Sequence, residues 1–392
     1  MLEPWYKTTL SLTRMGKSLK FQIPYDVFST QRIDEGTLLF LDHLPKRPPS
    51  RVLDMGCGYG ALGLPIAAQF PQAKIEMVDR DLLAAEWSQK NAASNELSNV
   101  NAHGSLGFDR IQHTEYDWIL CNIPARIGTP FIKNFMEAGA CLLTSLGELR
   151  VVVISDLGPI LKDLQKEWGW PLTEVAVGPR HSIFSMSQMT GPKIKPQSPL
   201  ELYYRDTVSL KDLEFKRPFD VGGDDQKRIK TSLPILLDTL PRRPLEKNSR
   251  VLCFRSYYGI TPLIARKVFP ETRVQVYERD LLSLYFLNEN AKNLGFAGEN
   301  LAVTETPSLS EDILHAEKFD LILGELSPSA GALVACSELS AAHRSLKADG
   351  QALILCLEKT DQEWIKCFSE REKIQIQRVL TREGFTVIRL SH

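Results

Sequence analysis

The chain has 392 residues, 43% of them apolar and 24% charged, which excludes a disordered, collagen-like or coiled-coil protein. Lys plus Arg number 47 against 48 Asp plus Glu, a net charge of −1, so global electrostatics points neither to a polyanion-coating protein nor to a membrane-surface binder. The opening MLEPWYKTTLSLTRMGK has no apolar core, no run of ~18 apolar residues occurs, and the seven cysteines form no C-x-x-C pair, so a soluble cytoplasmic chain with reduced thiols and no metal site is expected.

In chain order, residues 5–30 read as a small β-rich extension. Arg51–Met55 is a short apolar run ending in glycines, hence a buried strand and a tight turn. Ala61–Gln69 has helical spacing. Lys74–Val78 is a second strand, ending at Asp79. Leu82–Asn95 is a helix with Asp81 near its N-terminus. Trp118–Cys121 is a strand, Phe131–Leu143 a helix, Leu149–Ile154 a strand and Gly158–Trp168 a helix. Glu174–Val177 and Ile183–Met186 read as closing strands. Strands alternating with helices predict an α/β fold, a doubly wound and mainly parallel sheet with helices on both faces.

The whole unit is then written again. WYKTTLSL (5–12) meets YYRDTVSL (203–210), and LDHLPKRP (41–48) meets LDTLPRRP (237–244). The stretches from Arg51 and Arg250 align without a gap at an offset of 199, sharing Arg-Val-Leu, Tyr-Gly, Phe-Pro, Arg-Asp-Leu-Leu and Asn-Ala. YDWILCNIPARIG (116–128) meets FDLILGELSPSAG (319–331). Four matches in one order predict tandem Rossmann-like domains at 1–188 and 201–392. The Pro- and Lys-rich stretch within 189–200 reads as their linker.

The chemistry concentrates where strand one turns into helix one, at Asp54-Met-Gly56-Cys-Gly58-Tyr-Gly60. Glycines let the backbone turn sharply and lie against a ligand, and the helix N-terminus behind them suits an anion. Asp79, ~20 residues on, stands where ribose hydroxyls are recognised. Gly58-Tyr-Gly60-Ala-Leu-Gly63 also matches the dinucleotide pattern G-x-G-x-x-G. Asp54 beside the loop favours an ammonium over a pyrophosphate. The ligand that carries both an amino acid and a ribose is S-adenosylmethionine. A dinucleotide and a merely connecting turn stay open at this point.

At these residues the sequence resembles the class I S-adenosylmethionine-dependent methyltransferases. Within them it is similar to the small-methyltransferase group that includes the tandem-domain ribosomal RNA guanine-N2 enzymes. VFSTQRIDEGTLLFLDHLP (27–45), DMGCGYGALGL (54–64) and FDRIQHTEYDWILCNIPARIG (108–128) carry that likeness. The resemblance implies Asp54, Gly56, Gly58 and Gly60 around the methionine part of the cofactor. It implies Asp79 at the ribose, Arg80 beside the adenine, Ser105 near its edge and Thr37 closing from the N-terminal side. Asn122 and Pro124 fall in the catalytic motif, where the Asn amide and a backbone carbonyl accept hydrogen bonds from the target amine. That motif is Asn122-Ile123-Pro124-Ala125 instead of Asn-Pro-Pro-aromatic, so Phe28 or Phe131 is left to stack on a flipped base. The resemblance implies methylation of a guanine exocyclic amine in ribosomal RNA or an assembly particle by the first half. A protein or small-molecule acceptor, and a non-catalytic RNA binder, are the alternatives.

The second half is decayed at the same positions, with Cys253, Arg255, Ser256 and Tyr257 for Asp54, Gly56, Cys57 and Gly58. Glu278 still stands for Asp79, and Glu325-Leu326-Ser327 replaces Asn122-Ile123-Pro124. This half is expected not to bind the cofactor and to serve support or recognition. Lys7, Arg14, Lys17 and Lys20, interleaved with Trp5, Tyr6 and Phe21, read either as an RNA-contacting face or as a solvated face over core aromatics. Lys46, Arg47, Lys193, Lys195, Arg242 and Arg243 read as surface charges, Cys57 as a packing residue, and His113 and His181 as structural. Trp168 and Trp170 read as packing residues.

Overall fold

The computed structural model describes residues 3–188, 198–219, 228–310, 318–372 and 376–392. Most of the expected linker, with Lys193 and Lys195, lies outside the described residues. Contacts divide the chain into two units. The first-half unit is Lys7–Tyr204, and the second-half unit joins the opening residues through Tyr6 to Arg205–His392.

In the first-half unit, β1 (Tyr6–Arg14) and β2 (Lys17–Pro24) form a two-stranded sheet. Met15 and Gly16 join them at φ +50° and +72°, the paired left-handed turn whose twist matches flanking strands. Next come α1 (Glu35–Asp42), β3 (Arg51–Met55), α2 (Gly63–Gln69), β4 (Lys74–Asp79), α3 (Leu82–Ser94) and β5 (Val100–Gly104). Then follow β6 (Tyr116–Asn122), α4 (Thr129–Cys141), β7 (Leu143–Ile154), α5 (Gly158–Trp168), β8 (Leu172–Val177), β9 (His181–Ser187) and α6 (Pro199–Tyr203).

The seven-stranded sheet has the order β5-β4-β3-β6-β7-β9-β8. β3 lies parallel between β4 and β6, and β9 alone runs against the other six, antiparallel to both β7 and β8. Covered on both faces, the central strands are apolar throughout: Val52, Leu53, Ile119, Leu120 and Val151 are fully buried. β7 begins six residues before the expected Leu149. Gly147 makes this possible, because a Cβ there would stand 2.8 Å from the Tyr116 carbonyl on the neighbouring strand. The switch in strand order between β3 and β6 leaves a crevice at their C-terminal ends, where ligands bind in open α/β sheets.

The second-half unit repeats this plan. β10 (Tyr204–Leu210) pairs with β11 (Leu213–Pro218). β12 (Arg250–Phe254), β13 (Arg273–Glu278), β14 (Leu301–Glu305), β15 (Phe319–Glu325), β16 (Leu346–Leu357), β17 (Gln377–Arg382) and β18 (Phe385–Ser391) form the order β14-β13-β12-β15-β16-β18-β17. Asn91 and Asn290, at the repeat offset, do the same work in each unit. The Asn91 side chain binds the Gln22 backbone twice and donates to the Tyr59 carbonyl at 2.9 Å. Asn290 binds the Lys216 backbone twice and donates to the Tyr258 carbonyl at 2.9 Å. One fully buried amide thus ties helix, hairpin and loop together in each copy.

Among the described residues, no helix is long and apolar enough to cross a membrane, and no group of His, Cys, Asp and Glu has the arrangement of a metal site.

Candidate active site

The loop after β3 is shaped by its glycines. The Gly56 and Cys57 amides both donate to the Val78 carbonyl, at 2.8 and 3.0 Å, folding the loop over the end of β4. Gly56 and Gly58 sit at φ +76° and +58°, and a Cβ on either would meet nothing within 4 Å. The backbone therefore borders open space that a ligand can enter. Asp79, ending β4, accepts from the Gly58 amide through Oδ2 and from the Asp81 amide through Oδ1, both at 2.9 Å. It thereby anchors the loop to the end of β4.

Asp54 is the unusual group. It lies within β3, paired in register with Met77 and Leu120, and is 1% exposed. Its Oδ2 has no hydrogen-bond partner. Burial pushes its pKa up to about 7, with the Gly63 amide opposing and the Asp79 charge adding to the rise. Gly63, unremarked in the sequence except as a pattern letter, is what lets α2 approach: a Cβ there would stand 2.8 Å from Asp54 Oδ2. A buried carboxylate with an orphaned oxygen is costly unless a cation or donor arrives.

Asn122 ends β6 beside this crevice. Its Nδ2 donates to Asp34 Oδ2 at 3.1 Å. A carboxylate can only accept, so the contact fixes which end of the amide is which and turns Oδ1 the other way. The same Asp34 oxygen accepts from the Thr37 amide at 3.3 Å as the N-cap of α1. Thr37 is thus linked to Asn122 through Asp34. Glu35 pairs with Arg180 at 2.8 Å, and a Cβ on Gly36 would stand 2.8 Å from Asp34 and 3.0 Å from the His181 ring. The sequence reading singled out only Thr37 of the Asp-Glu-Gly-Thr segment. The cap pattern of Asp34 ahead of an apolar helical run was the signal that it missed.

The other expected residues fall as follows. Pro124, Ala125 and Arg126 are exposed, and the Pro124 carbonyl accepts the Ile127 amide at 3.3 Å. Arg80 is half-buried beside Asp79. The Ser105 hydroxyl is turned into its own loop, donating to the Gly107 carbonyl and accepting from the Arg110 amide. Phe131 is buried against Phe135 and Tyr203, which leaves no face for a base. Phe28 is 73% exposed. The Cys57 thiol is raised well above its ordinary pKa by burial and lies against Ser88, the setting of a packing residue. His181 stands near Asp34, and Lys133 caps the face of the partly exposed Trp168. Phe21 is fully buried, as is nearly all of Trp5, so these aromatics are not an RNA-stacking face.

A family model described as the methyltransferase small domain matches residues 18–169. The chain is 33% identical over 149 residues to YbxB of Bacillus subtilis, an uncharacterized protein, and covers 74% of it and 38% of itself. The chain belongs to the small-methyltransferase family. Ribosomal RNA small subunit methyltransferase C of Pseudomonas putida is 36% identical over 135 residues, 33% of this chain and 40% of that protein. Ribosomal RNA large subunit methyltransferase G of Alcanivorax borkumensis is 31% identical over 183 residues, 45% of each. The chain thus spans under half the length of these ribosomal RNA enzymes. A solved structure of the T. thermophilus 16S rRNA N2 G1207 methyltransferase, RsmC, with AdoMet and guanosine superposes over 99% of this chain and 98% of that one, with TM-score 0.67 and 16% identity. That likeness shows the two-domain class I methyltransferase fold.

The small-methyltransferase match falls inside the first-half unit, and its residues fit the cofactor on their own geometry. Open space borders Gly56 and Gly58, and the orphaned Asp54 oxygen awaits a cation. The second-half unit keeps the frame but changes the lining. Arg255 and Tyr257 hold the left-handed backbone at φ +50° each where the first unit has Gly56 and Gly58. Such conformations cost about 1 kcal/mol or more per non-glycine residue. The Tyr257 amide donates to Glu278 at 3.2 Å, as Gly58 does to Asp79. The Arg255 guanidinium pairs with buried Glu338 at 2.8 Å.

Proposed function

We propose that the first-half unit transfers a methyl group from S-adenosylmethionine to the exocyclic N2 amine of a guanine in ribosomal RNA, and that the second-half unit binds no cofactor. The observation that carries this is the Asp34–Asn122 contact at the end of β6, beside the glycine loop. The names of the P. putida and A. borkumensis relatives support the RNA acceptor.

S-adenosylmethionine, when bound, supplies an electrophilic methyl group. The Asp54 carboxylate would hold its ammonium, the Gly56–Gly60 backbone its methionine part, and Asp79 its ribose hydroxyls. Arg80 and the Ser105 loop border the adenine. Asn122 does the acceptor's work. Its Oδ1, turned away from Asp34, accepts an N–H of the guanine amine and thereby aims the nitrogen lone pair. The rate gain is one of positioning, with no strong base among the residues required. Phe28, in the segment that leads to Asp34, offers the exposed aromatic face that the Asn-Ile-Pro-Ala motif lacks. Ribosomal RNA or an assembly particle is the partner.

Replacing Asn122 by Ala tests this reading. Methyl transfer is expected to collapse while calorimetric binding of S-adenosylmethionine survives. An unchanged transfer rate contradicts the assignment.

A further inference from the structure

The second-half unit contains a pocket where the first-half unit would hold its nucleoside, and Trp5 enters it. Equivalent positions line it. Glu278 stands for Asp79 and Arg279 for Arg80. Thr306 stands for Ser105, donating to the Ser308 carbonyl at 2.8 Å as Ser105 does to Gly107. The Thr306 amide binds the Glu278 carbonyl at 3.0 Å, as the Ser105 amide binds Asp79 at 2.9 Å. Into this frame comes Trp5, 8% exposed. The Arg255 and Arg279 guanidiniums lie 5.6 and 5.7 Å from the centre of its ring, and Glu338 holds Arg255 in place. The space left is about 20 Å³, room for a single water and none for a nucleoside. The contacts of residues through Tyr6 group them with this unit and apart from the strand they lead into.

We propose that the abandoned nucleoside pocket of the second-half unit is a binding site for an indole, and that Trp5 is its resident ligand. A flat π-system replaces the adenine, and the Arg255 cation, brought in where a glycine stood, recognises its face. A pocket that lost its ligand would leave a void. Here the tethered indole of Trp5 fills that space.

The test uses the full chain with Trp5→Ala and Trp5→Phe, read by hydrogen exchange with and without free indole. In Trp5→Ala, amide exchange at Phe254–Tyr257 and Thr306–Leu309 is expected to accelerate about tenfold or more, from the loss of the ring's contacts with both guanidiniums. Exchange at Asp54–Gly60 is expected to stay unchanged. Millimolar indole is expected to restore protection in Trp5→Ala and to leave the wild type unaffected. Trp5→Phe is expected to retain part of the protection. Unchanged exchange at the pocket in Trp5→Ala, or a loss of protection that indole does not reverse, overturns the proposal. Neither readout depends on methyl transfer.

Discussion

Asp34 and Asn122 are 88 residues apart in the chain and 3.1 Å apart in the fold. One carboxylate oxygen caps α1 and grips the amide at the end of β6, so helix entry and the orientation of the Asn122 amide are set by the same atom. The rest of the Asp-Glu-Gly-Thr segment is explained by that contact. Glu35 holds Arg180, Gly36 leaves no room for a Cβ between Asp34 and His181, and the Thr37 amide completes the cap.

Asp34→Ala is therefore expected to lower kcat about 10- to 100-fold by releasing the Asn122 amide. S-adenosylmethionine affinity should stay within about threefold, since no loop residue is touched. Loss of the cap removes about 1 kcal/mol, a fall of about 2–4 °C in the melting temperature. Single-turnover methyl transfer, calorimetry and thermal melting separate these effects.

The proposed role of Asp54 predicts that cofactor binding depends on pH. With its pKa near 7, the carboxylate proposed to receive the ammonium is mostly charged at pH 8 and mostly neutral at pH 6. Affinity for S-adenosylmethionine is expected to fall about tenfold from pH 8 to pH 6, and calorimetry in buffers of different ionisation enthalpy should detect proton release on binding. Stability of the empty protein runs the other way. A carboxyl raised in the folded state holds its proton there while the unfolded chain has lost it, so stability falls as pH rises from about 4 to about 7. Asp54→Asn is expected to raise the melting temperature at pH 8, remove this slope and abolish tight cofactor binding.

Gly58→Tyr copies what the second-half unit already contains, since Tyr257 holds φ +50° where Gly58 holds +58°. The variant is expected to fold, at a cost of about 1–2 kcal/mol for a left-handed non-glycine residue. It should bind no S-adenosylmethionine, because the side chain enters the open space beside the loop. The wild-type titration is expected to give one site per chain. Two sites, or one that survives Gly58→Tyr, would place the cofactor elsewhere.

Local patterns made the fold legible. The apolar run of β3, the glycines behind it and the gapless repeat from Arg51 and Arg250 each follow from short-range spacing, and the mainly parallel, doubly wound sheet follows from strand and helix alternation. The turn at the glycine loop, with Asp79 ending the next strand, was legible for the same reason. What stayed hidden depends on contacts distant in sequence. Nothing near Asp34 announces Asn122, and nothing near Trp5 announces Arg255 and Arg279. Trp5 reads locally as an aromatic among basic residues, and Arg255 as a bulky side chain blocking a turn. Only the fold shows that one answers the other. Phe131 has helical spacing that cannot tell an inward from an outward face, and Tyr203 covers it.

The most direct measurement is methyl transfer from radiolabelled S-adenosylmethionine to ribosomal particles lacking the modification, followed by digestion of the RNA to nucleosides. The wild type is expected to place the label in N2-methylguanosine, and Asn122→Ala, with cofactor binding intact, to place none. Label in protein or in another nucleoside, or equal label from Asn122→Ala, would contradict guanine-N2 methylation by the first-half unit.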